Sequence, residues 1–380
     1  MRWEPMLAAF SALPASMDAD DSYIYTSPSA FAATLRSVMA TLDEDVKTIR
    51  ESYMPLFSSE NSVSAQTKLC IDIMRDWALT GKAPSLAALT IVALEMMEVK
   101  DREFARLALL GSVVGEIENT TPYHSNMHYR KVLLQLIRLI VNHNEIYAGT
   151  SKMFTDREIC LLMAAASIHD AGHDGLGNTT GGVHQRGRLE TRSFDIMAFW
   201  MKPMGFDDAQ TLGAIKTMLM GTDVSPVGDP RAPVNQMKAA YRHHFLNQAS
   251  DMEPLNLNAD LKVLETDSTL SMMAVILQEA DIATSAGIDY AVTKYETSLI
   301  GAEYHIPQSL PQHIINFLRD VCARQFLSDA GQRLYAANMA RIYALAQKDV
   351  EGGNLPYPDM HHAELVVGAG AASSSSRTLH

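Results

Sequence analysis

The chain has 380 residues, 47% of them hydrophobic and 20% charged, and its net charge at pH 7 is −13. Such a composition is typical of a globular protein with a sizeable core, in one large domain or two average ones. The acidity argues against nonspecific binding to nucleic acid or to an anionic membrane, because both depend on clustered Lys and Arg. It also repels anionic substrates, so a phosphate site would need positive charge of its own, which metal ions can supply.

No sequence segment predicts membrane insertion or export. No apolar run approaches the roughly 18 residues of a membrane helix. The weakly apolar stretch at residues 7–17 is interrupted by Pro14. The three cysteines are scattered and odd in number, which favours buried thiols over disulfides: Cys70, Cys160 and Cys322. We therefore expect a cytoplasmic protein in a reducing compartment.

Apolar residues three or four positions apart predict a largely helical chain. The predicted helices cover residues 66–78, 86–98, 128–147, 156–169, 190–201, 207–220, 233–248, 268–285, 311–327 and 329–348. In the segment 128–147, an apolar face that includes Val132 and Leu136 lies opposite a polar face of Arg130, Lys131, Arg138 and Asn142. Strand patterns are scarce and no glycine-rich phosphate loop follows a strand, so we predict an all-α fold.

Polar and glycine-rich segments separate the helices. We expect a flexible lead-in at residues 14–30, a long loop with five glycines at 174–187 and a second loop at 221–232. The low-complexity end, residues 368–380, is predicted to be disordered. The chain is accordingly divided into an N-terminal extension without a recognisable domain, an all-α domain and a low-complexity tail: residues 1–62, 63–350 and 351–380. We expect the extension to contact the helical core or to form a homodimer.

Two histidines, His124 and His128, stand four residues apart. On a helix this spacing places them on one face, one turn apart. They could bind one metal together, or act as one ligand and one proton donor. Histidines with ordinary surface or core roles are the alternative for this pair.

A His-Asp doublet and a single aspartate add ligands of the same kind. His169 and Asp170 end a very apolar helix, where two ionisable groups are costly unless they are paired or bind metal, although Asp170 could also be a simple cap. Asp281 lies on the inner side of the predicted helix 268–285, where a carboxylate needs a metal or an arginine. Imidazole and carboxylate ligands suit Zn²⁺ or a mixed Zn²⁺/Mg²⁺ pair.

Together these motifs resemble those of the class I cyclic nucleotide phosphodiesterases, all-α members of the HD metal-dependent phosphohydrolase superfamily. Three family motifs, Tyr-His-Asn-x2-His, His-Asp-x2-His and Ala-Asp, are represented by residues 123–128, 169–173 and 280–281. Further matches are Leu189-Glu190, Thr222-Asp223 and Gln312, the last with the glutamine that binds the purine. The resemblance covers roughly residues 66–348, so the domain at 63–350 would be the catalytic domain.

The resemblance implies that a metal-bridging hydroxide opens a 3′,5′-cyclic nucleotide, cAMP or cGMP, to the 5′-monophosphate, and that His124 protonates the leaving oxygen. Zn²⁺ would be held by His128, His169, Asp170 and Asp281. Asp170 would also bridge to Mg²⁺ or Mn²⁺ at a second site. The residues implied to hydrogen-bond the metal-bound waters are His173, Glu190, Thr222 and Asp223. Those implied to line the substrate pocket are Tyr123, Thr284, Gln312 and Ile315.

The chain departs from the family pattern around the substrate rather than among the metal ligands. Ser125 and Thr284 replace asparagines, Asp174 replaces a proline, and Ile315 stands in the place of the phenylalanine that clamps the purine. Two alternatives therefore stay open. One is an HD-type phosphohydrolase that acts on another nucleotide or phosphodiester, and the other is a non-catalytic relative that binds cyclic nucleotides.

Overall fold

The structure, a computed structural model, describes residues 3–13, 21–58, 60–248 and 255–357. Within these ranges it contains fourteen α-helices and one hairpin of two antiparallel strands. The helices are α1 (Trp3–Ala9), α2 (Pro28–Thr48), α3 (Val63–Thr80), α4 (Leu86–Met96), α5 (Arg102–Gly115), α6 (Asn126–Ile146), α7 (Asp156–Ile168), α8 (Arg188–Met201), α9 (Ala209–Met220), α10 (Pro233–Tyr241), α11 (Ser268–Ala286), α12 (Tyr290–Glu303), α13 (Pro311–Asn316) and α14 (Asp329–Glu351). The strands are β1 (Thr179–Thr180) and β2 (Val183–His184). The predicted all-α fold is confirmed, and no described helix is long and apolar enough to cross a membrane.

Most predicted helices are present, but four observed helices, α1, α2, α5 and α12, were not predicted. Two segments predicted as single helices are also interrupted. The segment 233–248 changes from α-helix to π-helix at Arg242, and the segment 311–327 does so at Phe317, after which the helix ends at Val321. The hairpin lies inside the predicted loop 174–187. The predicted disordered end at 368–380 lies outside the described residues.

The N-terminal residues belong to the same hydrophobic core as the rest of the chain. Phe31 on α2 stacks on Trp200 of α8 with ring centroids 4.2 Å apart. The indole N–H of Trp200 donates to the carbonyl of Tyr25 at 2.7 Å. The prediction of a flexible lead-in at residues 14–30 is therefore wrong from Tyr25 onward, while residues 14–20 lie outside the described part. These contacts agree with the expectation that the extension lies against the core.

Helices α5 and α7 approach closely because small residues face each other. A Cβ atom on Gly115 would overlap the carbonyl oxygen of Ser167, and one on Gly111 would lie 2.9 Å from the Cα atom of Ala164. Only residues without a side chain at these two positions allow the two backbones to approach this far. The contact fixes the C-terminal end of α7, where the His-Asp doublet begins.

Helix α6 is central and buried on both its faces, between α4, α7, α11 and α14. The side chains of Lys131, Arg138 and Asn142, predicted to form a polar face, are buried. The prediction of a one-sided apolar helix is wrong, because interior partners replace water for these groups. Lys131 binds Glu296, Arg138 donates to Gln135, and Asn142 donates to the backbone of Arg138.

Candidate metal centre

Four predicted metal ligands meet in the interior of the fold: His128, His169, Asp170 and Asp281. The Nε2 atoms of His128 and His169 are 3.2 Å apart, and His128 Nε2 lies 3.2 Å from Asp281 Oδ1. His169 Nε2 lies 2.9 Å from Asp170 Oδ2. Four ligand atoms at about 2.1 Å from a cation are about 3.4 Å apart in a tetrahedron. The cluster therefore has the size and the atom types to hold a divalent cation.

Three helices bring these ligands together. His128 lies in the first turn of α6, His169 directly follows α7, and Asp281 lies on α11. The phenol of Tyr129, the next residue on α6, donates to the carbonyl oxygen of Asp170 at 2.6 Å. This bond joins the turn after α7 to α6 and so fixes the position of the doublet.

Hydrogen bonds orient the imidazole rings of the cluster, and an ionised carboxylate gives it the negative charge that binds a cation. The Nδ1–H of His169 donates to the carbonyl of Ala166 at 2.8 Å, so Nε2 is the ring nitrogen that faces the other ligands and would bind a cation once it has lost its proton. Burial alone would raise the pKa of Asp281, but hydrogen bonds from His128 and His169 lower it to about 2. An ionised carboxylate beside imidazole nitrogens is the donor set that Zn²⁺ prefers.

A histidine–carboxylate pair lies beside the cluster. His124 precedes α6, so the prediction that it shares a helix face with His128 is wrong. The centroids of the two rings are nevertheless only 5.8 Å apart. The Nδ1 atom of His124 lies 2.5 Å from Oε1 of Glu303, the last residue of α12. The Oε2 atom of Glu303 accepts hydrogen bonds from the backbone N–H groups of Tyr123 and His124, at 2.9 and 3.0 Å.

The pairing leaves one ring nitrogen of His124 available for chemistry. Because Nδ1 is bound by the carboxylate, Nε2 is the atom that can exchange a proton with a ligand. Burial would raise the pKa of Glu303, but its hydrogen bond with His124 and the charge of that ring lower it to about 2. The carboxylate is therefore ionised at neutral pH and binds the Nδ1 side of the His124 ring.

Glu303 was missed by the sequence analysis, which did not predict α12. The buried residues of this helix are Val292, Thr293, Glu296, Gly301 and Glu303, so only Val292 buries a sizeable apolar side chain. A helix that buries polar groups shows little apolar periodicity. The pattern that could have indicated this helix is the pair Glu296 and Glu303. They are seven residues, or about two helical turns, apart and therefore lie on one face of the helix.

No protein family model and no curated protein matches this chain. Among solved structures, the chain is similar to LmjPDEB1 in complex with IBMX, from Leishmania, at 13% sequence identity and a TM-score of 0.46. The match covers 90% of this chain and 98% of that one. At this degree of likeness, we base the function of the chain on its own side chains.

His173 lies against His124 rather than among the four ligands. The two rings are stacked with centroids 3.7 Å apart, and His173 Nδ1 lies 3.4 Å from Glu303 Oε1. The backbone N–H of Gly175 donates to this Nδ1 at 3.1 Å. Burial and the charge of His124 lower the pKa of His173 to about 4, so this ring is neutral at pH 7. Its predicted contact with a metal-bound water stays a prediction.

Glu190 and Asp223 place two more acidic groups near the cluster. Burial and the negative charge of Asp223 raise the pKa of Glu190 to about 8, with a smaller contribution from Asp170. The amide of Asn178 donates to Glu190 at 3.0 Å. Asp223 accepts two backbone N–H groups, and the hydroxyl of Thr222 donates to a backbone carbonyl. In this arrangement Thr222 and Asp223 organise their loop, and their predicted bonds to metal-bound water stay predictions.

An ion-pair cluster holds the loop that follows the doublet. Asp174 lies 2.6 Å from a guanidinium nitrogen of Arg188 and 2.9 Å from one of Arg192. The hydrogen bond with Arg188 holds the pKa of Asp174 well below its usual range. Gly172 has a φ of +77°, which favours glycine, at the turn that begins this loop. The acidic residue thus takes a structural role at the position where the family has proline.

Two of the predicted pocket residues lie next to the site. The ring of Tyr123 lies 4.6 Å from that of His128, and its hydroxyl is 3.2 Å from the hydroxyl of Ser285 on α11. Thr284, the neighbouring residue, is buried, and its hydroxyl has no hydrogen-bond partner among the described residues. Tyr123 therefore links the segment before α6 to the helix that carries Asp281.

The other two predicted pocket residues lie on α13. The side-chain amide of Gln312 donates to Asn316 Oδ1 at 2.9 Å. Ile315 is part of the hydrophobic core. Among the described residues, no hydrogen bond joins either of them to the metal-ligand cluster, so their predicted contact with a purine stays a prediction.

Proposed function

We propose that this chain is a metal-dependent phosphodiesterase that opens a 3′,5′-cyclic nucleotide, cAMP or cGMP, to the 5′-monophosphate. The observation that carries the proposal is the position of the His124–Glu303 pair beside a cluster of four metal-ligand side chains. A metal site and a proton donor side by side are what hydrolysis of a phosphodiester with a poor leaving group requires. The sequence motifs support the cyclic nucleotide as substrate class.

Four residues would hold the first cation, which we propose to be Zn²⁺: His128, His169, Asp170 and Asp281. Asp170 would also contact a second cation, Mg²⁺ or Mn²⁺. Divalent cations bound there would supply Lewis-acid chemistry, which activates water and offsets the negative charge of the phosphoryl group. Glu190, with its raised pKa, would bind water at the edge of this site together with His173.

His124 would supply the proton for the leaving group. As the oxygen of water forms its bond to phosphorus and the bond from phosphorus to O3′ breaks, Nε2 of His124 gives its proton to O3′. The Glu303 carboxylate orients the ring by binding Nδ1, which leaves Nε2 for the transfer. The attacking water loses a proton to solvent, and solvent then returns a proton to the ring.

The test is a substrate and metal panel. We expect the purified protein to convert cAMP or cGMP to the 5′-monophosphate with added Mg²⁺, Mn²⁺ or Zn²⁺, and to lose this activity on chelation. Identification of the product by chromatography separates this reaction from any other loss of substrate. The absence of turnover with every cation tested would overturn the proposal.

A second candidate is a phosphohydrolase of the same mechanism with another diester substrate. It is favoured by the environment of Gln312, whose amide nitrogen is bound to Asn316, and by Ile315 in place of an aromatic clamp. Equal turnover of cAMP, cGMP and a simple aryl phosphodiester would favour this candidate. A clear preference for one cyclic nucleotide would favour the first.

A further inference from the structure

Lys131 and Glu296 form a buried ion pair. The Nζ atom of Lys131 lies 2.6 Å from Oε1 of Glu296, and the two side chains are 4% and 2% exposed. The ammonium group also lies 5.5 Å from the centre of the Tyr295 ring. Two opposite charges that are shielded from water strongly favour contact with each other, because separating them leaves each charge unsolvated. The pair therefore holds its two helices in one relative position.

The two helices that it joins both carry residues of the proposed active site. Lys131 lies on α6, three residues after the proposed metal ligand His128. Glu296 lies on α12, seven residues before Glu303, so these two glutamates share one face of the helix. The pKa of Tyr123, whose ring centroid lies 4.6 Å from that of His128, is raised by burial and by the charges of Glu296 and Asp281.

Polar contacts, rather than apolar burial, hold α12 in place at this end. Val292 is its only sizeable buried apolar residue, and it lies eleven positions before Glu303. Between Val292 and Glu303, Glu296 makes the one ion pair with α6 among the described residues, and the same lysine also lies over the ring of Tyr295. Glu303 is itself bonded to the segment before α6, and the ion pair is a second link that fixes the rest of α12 relative to α6. Without the pair, α12 can shift and strain the contact between Glu303 and His124.

We propose that the Lys131–Glu296 ion pair positions Glu303, and through it His124, for proton donation to the leaving oxygen. The inference rests on the proposed function. Lys131 and Glu296 are positioning residues, since neither touches the reacting atoms. A displacement of about 1 Å at a reacting group can lower a rate by about 100-fold, so a small shift of α12 has a large effect on the protonation step.

Two substrates separate this role from a general effect on the fold. A 3′,5′-cyclic nucleotide releases an alkoxide and needs the proton from His124, whereas bis(4-nitrophenyl) phosphate releases a stable phenolate and needs little protonation. In Glu296→Gln, which keeps the shape but removes the charge, we expect kcat for the cyclic nucleotide to fall by about 10- to 100-fold. We expect kcat for the aryl diester to change by less than about threefold, because the metal-dependent step is retained.

Two further variants complete the experiment. Glu296→Asp keeps the charge but shortens the side chain, so it should give the same selective loss if Glu296→Gln does not fold. Arg130→Met is the control, because it removes the neighbouring α6 cation, whose partner is Glu116 rather than a residue of α12. We expect this control to affect both substrates equally.

The outcomes are distinguishable. An equal loss of both activities in folded Glu296 variants, or failure of both Glu296 variants to fold, would assign the pair to stability alone and overturn the inference. Failure of the wild-type protein to hydrolyse any cyclic nucleotide would instead overturn the proposed function. A selective loss of cyclic nucleotide turnover supports the inference.

Discussion

The Oδ1 atom of Asp281 lies 3.2 Å from the Nε2 atom of His128, although 153 positions separate the two residues in the chain. Both residues lie on buried helices, and the described structure provides no arginine or lysine contact for this carboxylate. Charged groups in an interior need a counter-charge. Nearby histidines supply part of it, and a divalent cation would supply the remainder.

Removal of this carboxylate should abolish metal binding. Asp281→Asn keeps the shape of the side chain but loses its charge. We therefore expect the bound metal to be lost and turnover of a cyclic nucleotide to fall by at least about 100-fold, since a metal site contributes several kcal/mol to catalysis. The checks are metal analysis of the purified protein and a rate assay. Far-ultraviolet circular dichroism should show unchanged helical content.

A control for this variant is Asp260→Asn, which removes an exposed carboxylate that pairs with Lys216. Zn²⁺ should raise the melting temperature of the wild-type protein and of this control, because a ligand that binds only the folded state stabilises it. The same addition should leave Asp281→Asn unchanged. An equal rise in all three proteins would show that the cation binds elsewhere.

The His124–Glu303 pair should act as one unit. Glu303→Gln removes the charge that orients the ring, and His124→Asn removes the proton donor. We expect each substitution to lower kcat for a cyclic nucleotide by about 100-fold or more, the range of general acid catalysis. In the double variant the loss should be close to that of His124→Asn alone, because the carboxylate acts through the ring. Independent, multiplying losses would contradict this relation.

The residues that could be predicted from sequence were those with a recognisable chemical type at a fixed spacing. His128, His169, Asp170 and Asp281 are metal ligands in well-patterned helices, and the structure brings them together. Glu303 could not be predicted in the same way, because its partner His124 is distant in sequence and its helix has little apolar periodicity. Local sequence patterns indicate which apolar side chains are buried. They do not indicate which charged side chains form pairs between distant parts of the chain.

Lys131 is a second residue whose position could not be predicted from the local sequence. A lysine in an amphipathic pattern is expected to face solvent. Its burial depends on Glu296, which is 165 positions away and lies on an unpredicted helix. The same reason applies to Arg138, which is buried against Gln135 and the ring of Tyr335. A central helix surrounded by other helices buries both its faces, so its polar residues no longer indicate the surface.

A buried acid next to the metal ligands should make the stability depend on pH. Burial raises the pKa of Glu279 to about 7, against the opposing effect of hydrogen bonds from Ser328. The folded protein therefore holds a proton that the unfolded chain releases between about pH 4.5 and 7, so the stability falls as pH rises through this window. Glu279→Gln should weaken this dependence, and Glu190, whose pKa is raised to about 8, gives a contribution of the same sign that remains.

The expected change in the free energy of unfolding is up to about 3 kcal/mol between the two ends of that window. Urea unfolding of metal-free protein at about pH 5 and pH 7 measures it. The exposed Glu51→Gln should keep the wild-type dependence. An unchanged slope in Glu279→Gln would show that another group titrates in this range.

Substitution of two helical glycines by alanine should have opposite effects on stability. A Cβ atom on Gly115 would overlap the carbonyl oxygen of Ser167 on α7, whereas one on Gly213 of α9 meets no atom within 4 Å. Alanine in an unobstructed helix stabilises it by about 0.5–1 kcal/mol relative to glycine. In a closely filled contact, the displaced backbone costs about 1–3 kcal/mol or more.

We therefore expect Gly213→Ala to raise the free energy of unfolding and Gly115→Ala to lower it, as measured by urea unfolding. The second variant should also bind metal more weakly, because Ser167 lies two residues before His169 and the displaced end of α7 carries that ligand. Metal titration followed by the melting temperature tests this link. If Gly115→Ala lowered stability but left metal affinity unchanged, the contact between α5 and α7 would serve the core alone and not the position of the doublet.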